Sequence, residues 1–446
     1  MGGSGRLAVS DPPARPTAID LYAGAGGLSL GLEQAGFDVL AAAEIDPIHS
    51  ATHLYNFPNC EIVCRDLSAV SAEQILRAAA AGWKRTRPDQ DWPGQIDVVV
   101  GGPPCQGFSV GGVRDPNDSR NEQIQRFAEL VITLKPRVFL LENVAGLLER
   151  RFDGFREDIL VALSNAGYSL SGNDAPVDAA DFGVPQHRRR VLIFGSQCAS
   201  PIALKAPNIS VTVGNALAGL PFVGGYRRLL HRDWVELHRV DIDARNGCES
   251  AYARRLSGLE RDEEDRGHLR AWAPEILTNS LRTVHSARTR QRFSRTTPGS
   301  VEPVSRLFRL HEDQPARTLR AGTGAERGAH TSPRPIHPNF DRVITVREAA
   351  RLHGYPDWFR FHVTNWHGHR QIGNSVPPPL ARAAGLAMIE ALGVSSESFS
   401  ESVAPVALGS AEFLYMNPST ASDLFAVVPG NRLLTRTKSS RALAGS

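Results

Sequence analysis

A chain of 446 residues, 41% hydrophobic and 22% charged, is globular in composition and long enough for about two or three domains with sizeable cores. No apolar run approaches the roughly 20 residues of a membrane span, and Met1 to Arg6 lacks the apolar core of a signal peptide, so a cytoplasmic protein without membrane contact is expected. The five cysteines are too few for a disulfide framework, Cys60 and Cys64 have no second pair to complete a zinc set, and the net charge of +3 alone says nothing about partners.

Residues 1–16 are rich in Gly and Pro and are expected to be disordered. Ala18 to Tyr22 reads as a strand, Ala23-Gly24-Ala25-Gly26-Gly27 as a glycine turn, and Leu28 to Ala35 as an apolar-periodic helix. Strand, glycine turn and helix open a nucleotide-type α/β fold, because glycines let the backbone approach a ligand at a helix N-terminus. A second strand, Val39 to Ala43, ends in Glu44, and a third, Glu61 to Cys64, ends at Asp66. Three successive strand tips bearing a glycine turn and two acids describe a pocket for an adenosine-like cofactor.

The fourth strand is the stretch on which the chain is centred. Asp97-Val98-Val99-Val100 is β-branched, and Gly101-Gly102-Pro103-Pro104 stops it, since two prolines after two glycines continue neither helix nor strand. The next residue is Cys105, a thiol at the carboxyl end of a buried strand, where open α/β sheets place their ligands. Val113 to Gln123 is polar and reads as a mobile loop, and Ile124 to Leu134 as an amphipathic helix. A fifth strand, Val138 to Leu141, delivers Glu142 and Asn143 at its tip.

In Gln186-His187-Arg188-Arg189-Arg190, before the strand Val191 to Phe194, extended backbone puts Arg188 and Arg190 on one face and His187 and Arg189 on the other. From about Ser200 the alternation of strands and helices fades into an irregular region. Its Glu260 to Asp265 run reads as a solvated face, and its Arg282 to Arg295 stripe holds five arginines and no acid, suited to phosphate contacts. Thr345 and Glu348 form a capping box for a helix from Val346 to Leu352, stopped at Gly354 and Pro356. A helix is expected from Pro378 to Leu392. Ser395 to Ser446 reads as a mostly disordered tail with a short ordered piece near Phe413 to Tyr415.

These residues, in this order over residues 18–392, resemble the DNA (cytosine-5)-methyltransferases. The Asp20–Gly27 stretch resembles the family's cofactor glycine motif, with Tyr22 where Phe is usual. Pro104-Cys105-Gln106 resembles the nucleophile motif, Glu142-Asn143-Val144 the Glu-Asn-Val motif, Gln186-x-Arg188-x-Arg190 the Gln-x-Arg-x-Arg motif, and Gln371 to Val376 the closing motif. Asp118 to Gln123 resembles a weaker motif, with Gln123 where an apolar residue beside the cofactor is preferred.

The resemblance implies an α/β fold: a Rossmann-like S-adenosylmethionine-dependent methyltransferase sheet with helices on both faces, plus a smaller irregular target-recognition domain. The expected boundaries are 17–200 for the catalytic domain, 201–362 for target recognition, 363–394 for a segment returning to the catalytic domain, and 395–446 for the tail. It implies Cys105 as the nucleophile, with Gln106, Glu142, Asn143, Arg188 and Arg190 as further catalytic residues. S-adenosyl-L-methionine would be held by Tyr22, Gly24, Gly26, Gly27, Glu44, Ile45, Asp66, Leu67, Pro104, Asn374, Ser375 and Val376. Double-stranded DNA would be met by Ser109, Arg120, Gln186, Arg288, Arg290 and Arg292. A bacterial monomer is expected, of restriction–modification or orphan type, with a cognate restriction endonuclease or another defence-system protein as partner, and without a metal. The alternatives are a tRNA methyltransferase on the same fold, a non-catalytic DNA-binding paralogue, and a cysteine hydrolase, which lacks an obvious partner histidine.

Overall fold

The computed structural model describes residues 15–104, 122–172, 174–198, 201–322, 334–395 and 404–427. Strands and helices alternate as β1 (Thr17–Leu21), α1 (Gly27–Ala35), β2 (Asp38–Ala43), α2 (Pro47–Asn56), β3 (Glu61–Val63), α3 (Ala72–Thr86), β4 (Val98–Gly101), α4 (Glu122–Leu134), β5 (Val138–Val144) and α5 (Asp153–Asn165). Then come β6 (Ser169–Ser171), β7 (Val177–Asp178) and β8 (Arg189–Ser196). Together these strands form one 8-stranded sheet in the order β3-β2-β1-β4-β5-β8-β6, with β7 on β8. β1 to β5 are parallel, and β8 runs antiparallel to β5. The order reverses between β1 and β4, so the glycine turn and the Gly102–Pro104 turn leave adjacent strands at the sheet's carboxyl edge.

Central strands of a parallel sheet are covered on both faces and read as continuous apolar runs. Val98, Val99 and Val100 accordingly have no exposed surface. Val99 joins a core with Ile75 and Trp83 of α3, Phe127 and Leu130 of α4, and Leu163 of α5. Val98 and Val100 face the other layer, with Leu28 and Leu32 of α1. This is the expected sheet with helices on both faces.

Beyond β8 the chain forms α6 (Val213–Leu217), β9 (Val235–Glu236), α7 (Arg239–Asn246), α8 (Ala251–Leu256), β10 (Arg270–Ala271), β11 (Ile276–Leu277) and α9 (Ala287–Ser294). It continues through α10 (Val346–Arg351), α11 (Asn365–Asn374), α12 (Pro378–Leu392), β12 (Val406–Ala407) and α13 (Pro418–Leu424). β9 pairs with β11 and β10 with β12. The irregular region has two small cores of its own, around Tyr226, Leu229 and Leu277, and around Phe293, Ile336 and Val343. α10 and the Tyr355–Phe361 aromatics instead share a core with Ala23, Ala25 and Leu30 beneath the glycine turn. No helix among the described residues is long and apolar enough to cross a membrane.

Several local expectations change. Helices α2 and α3 carry end signals that the strand reading passed over: Asp46 caps α2 ahead of Pro47, and Ser71 and Gln74 form a capping box on α3. β5 does not stop at Leu141, because its antiparallel ladder with β8 continues to the Val144–Arg190 pair. Gln123 lies in α4 rather than in a loop. The acidic run is not simply solvated: Asp262 accepts from Arg382 of α12 at 2.6 Å, and Asp265 from Gln34 of α1 at 2.8 Å. The ordered piece at Phe413 belongs to a longer described stretch, 404–427, that packs along α2.

α1 and α12 meet closely through Gly31. A Cβ there would collide with the Ala381 side chain and stand 2.6 Å from the Arg382 backbone nitrogen. Alanine is the better helix former by roughly 0.5–1 kcal/mol, but overpacking costs about 1–3 kcal/mol. Gly31→Ala is therefore expected to lower the unfolding midpoint in denaturant, by about 1 kcal/mol net, and Gly31→Val to lower it further.

Candidate active site

At the end of β1 the chain turns through Tyr22, whose φ of 62° is left-handed, and Gly24, at 57°. Nothing lies within 4 Å of where a Cβ on Gly24 would stand, so the turn opens onto space. Gly26 (φ 101°) caps α1, and Gly27 packs its Cα against the Val376 carbonyl and Tyr355. Glu44 sits at the tip of β2, where its Oε2 accepts from Gly24 N and its Oε1 from Asp46 N, each at 2.8 Å. Each carboxylate oxygen keeps further acceptor capacity for a diol. Ile45 beside it is 42% exposed, a large apolar side chain facing outward next to a polar pocket. Asp66 Oδ1 caps the turn over Leu67–Ala69 by accepting from Ser68 N and Oγ at 2.9 and 2.7 Å, while Leu67 is buried. Asn374, at the end of α11, is exposed on the closing motif, whereas Ser375 and Val376 are buried against α1. An open glycine cradle, two carboxylates, an exposed apolar side chain and an amide fit the methyl donor that the resemblance implies.

Tyr22 and Gln123 depart together from the family pattern, and they meet. The Tyr22 hydroxyl lies 3.0 Å from both the backbone oxygen and Oε1 of Gln123. Burial, then the nearby Asp66 carboxylate, pushes the Tyr22 hydroxyl's pKa upward, so it stays a donor. Arg126, one helical turn on, donates to the carbonyls of Leu67 and Val70 at 3.0 and 2.8 Å. The start of α4 is thus tied to the edges bearing Tyr22 and Asp66, a link invisible without the fold.

Under the glycine turn lies a polar chain that the sequence reading also missed. Asp20 Oδ2 accepts from Ser29 Oγ at 2.6 Å and Ser29 N at 3.1 Å, and Ser29 Oγ lies 3.0 Å from His53 Nε2. Desolvation raises the Asp20 carboxyl to about 7 and lowers the His53 imidazole to about 3, so the histidine is neutral.

On the other side of the sheet's switch point, Pro103 is buried and Pro104 exposed. Cys105, Gln106, Ser109 and Arg120 lie outside the described residues. What is described is the wall beside the point where the chain leaves for Cys105. Glu142 Oε1 pairs with Arg190 Nε at 2.7 Å, both side chains being about 90% covered. A Cβ on Gly102 would stand 2.8 Å from Glu142 Oε2, so only glycine lets this carboxylate come up under the turn. Asn143 Nδ2 donates to the Pro103 carbonyl at 3.4 Å while its Oδ1 accepts from Val144 N at 2.9 Å, which fixes the turn to β5.

The arginine pair divides its labour. Exposure alternates as expected, with Gln186 and Arg188 buried and His187 and Arg189 exposed. Arg188, however, does not reach a ligand: its guanidinium donates to the carbonyls of Leu319, Gly373 and Ser375 at 3.1, 2.9 and 2.9 Å. This corrects its expected catalytic role to a structural one, because those donors are committed inside the protein. Gln186 likewise is no DNA contact: it is fully buried, donates to Leu352 O, accepts from Leu319 N and lies 2.9 Å from His353 Nδ1. His187 pairs with Asp178 at 3.0 Å on the exposed face. On α9, Arg288 and Arg290 are exposed, while Arg292 is half-buried and pairs with Glu302 at 3.5 Å.

Two outcomes follow from these buried groups. Arg188→Met should destabilise the protein by roughly 3 kcal/mol or more, since it leaves buried carbonyls without donors; the denaturant midpoint measures this. Asp20 has a folded pKa of about 7 against an ordinary 3.8, so the folded state holds the extra proton between those values. Its contribution to stability is favourable near pH 4, declines as pH rises, and is lost above about 7. The stability of Asp20→Asn relative to the parent should therefore climb from pH 4 to pH 8 in parallel unfolding series.

The family model described as C-5 cytosine-specific DNA methylase matches residues 17–390. The chain is 47% identical over 414 residues to the Type II methyltransferase M.XorII of Xanthomonas oryzae pv. oryzae, spanning 93% of each protein. It is 30% identical over 436 residues to the Type II methyltransferase M.AgeI of Thalassovita gelatinovora, spanning 82% of this chain and 97% of that one. A solved E. coli structure, described as a DNA modification methyltransferase encoded within a prophage, aligns with a TM-score of 0.67 at 33% identity, over 85% of this chain and 99% of that one. With the match running from β1 nearly to the end of α12, the chain belongs to the C-5 cytosine-specific DNA methylases and is a DNA (cytosine-5)-methyltransferase.

Proposed function

We propose that the protein transfers the methyl group of S-adenosylmethionine to C5 of a cytosine flipped out of a specific duplex DNA sequence, through covalent attack by Cys105. The observation that carries this reading is the Glu142–Arg190 pair lodged under Gly102, at the turn that delivers Cys105. Cytosine C5 is a poor nucleophile. Addition of the Cys105 thiolate to C6 makes the ring an enamine whose C5 takes the methyl, and loss of the C5 proton then expels the thiolate; this divides one difficult step into easier ones. Charge that develops on the ring must be met at N3 and O2. Glu142 meets the ring at N3 and the amino group, while Arg190 holds O2. Asn143 positions the turn through the Pro103 carbonyl.

S-adenosylmethionine supplies an electrophilic methyl on a sulfonium. Tyr22, Gly24, Glu44, Ile45, Asp66, Pro104 and Asn374 would hold it, with Glu44 at the second strand tip, where a ribose is held by its hydroxyls. Duplex DNA buries the target atom, so the base leaves the stack. Arg288 and Arg290 of α9, within the target-recognition region 201–362, supply phosphate or groove contacts. The Type II methyltransferases that this chain resembles favour a restriction–modification role in a bacterial cytoplasm, beside a cognate endonuclease.

Labelled S-adenosylmethionine and mixed-sequence duplex DNA should yield 5-methylcytosine, and an equal mass of tRNA should not. Cys105→Ser should abolish the product, and Glu142→Gln and Arg190→Met should each lower kcat by about 10²–10³-fold. Methylation surviving in Cys105→Ser would remove the nucleophile assignment, and preference for tRNA would move the substrate to RNA.

A further inference from the structure

The family match ends at residue 390, yet the described chain continues in an ordered stretch over 404–427. That stretch is seated by buried groups. Val406 and Ala407 pair with Arg270 and Ala271. Gly409 N donates to the Tyr55 carbonyl of α2 at 2.8 Å, and its Cα lies too close to the Tyr55 backbone for a side chain. Leu414 and Ala421 have no exposed surface. Val363 N donates to Leu414 O at 3.1 Å, and His362 Nε2 lies 2.9 Å from Met416 O. Tyr415 reaches Asp233 at 3.2 Å, beside the Arg360–Asp233 pair at 3.0 Å.

The far end of the stretch returns to β3. α13 closes with Ala426 in a left-handed conformation, φ 49°, and with Ala426 N and Val427 N bonded back to Asp423 O and Ser422 O. The carbonyls of Phe425 and Ala426 therefore point outward at the negative end of a helix, where a cation is favoured. Arg65 occupies that position, donating to Phe425 O at 3.1 Å and Ala426 O at 3.3 Å, and to its neighbour Cys64 O at 3.0 Å. Arg65 immediately precedes Asp66. The same stretch thus touches the helix that follows Glu44 and the step that bears Asp66. It holds α2, whose N-cap Asp46 bonds Glu44, and it holds the Arg65–Asp66 step after β3.

We propose that residues 404–427 are a brace for the cofactor wall and that Arg65 is a positioning residue, setting the Asp66 edge for the methyl donor without touching it. The proposal rests on the reading that Glu44 and Asp66 hold the donor. Its mechanism is geometric. Glu44 and Asp66 follow neighbouring strands, so the donor meets both only while their spacing is kept, and the brace touches α2, which follows Glu44, and the Arg65–Asp66 step. Arg65 itself is exposed, so its bonds contribute little to global stability. Their removal should appear in donor affinity rather than in unfolding.

The test measures binding of S-adenosylhomocysteine by calorimetry, together with steady-state kinetics, for Arg65→Met, for a chain ended after residue 403, and for Asp66→Ala. Arg65→Met should weaken binding and raise the KM for the donor by about five-fold, with kcat at saturating donor and the KM for DNA within about two-fold and the unfolding midpoint unchanged. Arg65→Lys should restore part of the loss, since it keeps the cation at the helix end. The shortened chain should lose at least as much donor affinity as Arg65→Met; if it does not fold, the arginine variants decide alone. Parent-like binding in Arg65→Met, with Asp66→Ala defective, would overturn the brace while leaving the donor site in place. Parent-like binding in Asp66→Ala would instead overturn the assignment of the donor site itself.

Discussion

The buried guanidinium of Arg188 is the fastening on which the site depends. It gathers carbonyls from residues 319, 373 and 375, so that the entry to β8, the end of the irregular region and the closing motif meet at one cation. Burying an arginine is costly unless its donors find acceptors. Here three backbone carbonyls serve, two of them at the end of α11, where the helix's orphan carbonyls point. His353, held neutral by burial and by the adjacent guanidinium, lies 3.1 Å from the same Ser375 carbonyl through Nε2 and reaches Gln186 through Nδ1. Tyr355, itself without exposed surface, stacks on the His353 ring at 5.9 Å between centroids.

That fastening explains how a chain with so long an insertion between β8 and α12 builds one site. Gly27 leaves room for Val376 beside the glycine turn, and Gly31 lets α12 lie directly on α1. The closing motif is therefore clamped from two directions, by Arg188 and by the first helix of the sheet. Asn374 is the exposed residue of that motif, between neighbours that are fixed. Arg190, two residues beyond Arg188, is free of the clamp and pairs with Glu142 on the next strand. A single stretch of extended backbone thus supplies one arginine to the architecture and the next to the reactive edge.

Much of this was legible in the sequence where local physics decides. β1, β2, β4 and β8 are largely apolar runs, β4 with a glycine and proline stop, the capping box at Thr345 forms as written, and α12 has the expected ends. The places of Glu44 and Asp66 after β2 and β3 were readable because an apolar run that gives way to an acid marks where a strand leaves the sheet. What was not legible depended on partners distant in sequence. Alternation put Arg188 and Arg190 on one face, but only the fold shows that Arg188 meets carbonyls 131 to 187 residues away. The resemblance implied a DNA contact for Gln186, whereas its amide saturates a buried junction. The acidic run near Asp262 looked solvated until Arg382 and Gln34 were brought beside it. The stretch 404–427 lacks periodicity, since its order comes from α2 and β10 rather than from an amphipathic pattern of its own.

The Tyr22–Gln123 contact shows why departures from a motif are better judged in pairs. Taken singly, a hydroxyl added to the glycine turn and an amide placed where an apolar residue is preferred each put a polar group in a half-buried position. Unpaired, each would cost on the order of 1–3 kcal/mol. Together they satisfy one another, and the cost falls to that of exchanging an apolar contact for a hydrogen bond. The exchange also changes what the contact does. An apolar contact tolerates sliding, whereas a hydrogen bond sets direction, and this one joins the turn after β1 to the first turn of α4. Arg126 fixes the same helix to the Leu67–Val70 edge, so the first turn of α4 is held both to the turn after β1 and to the turn after β3.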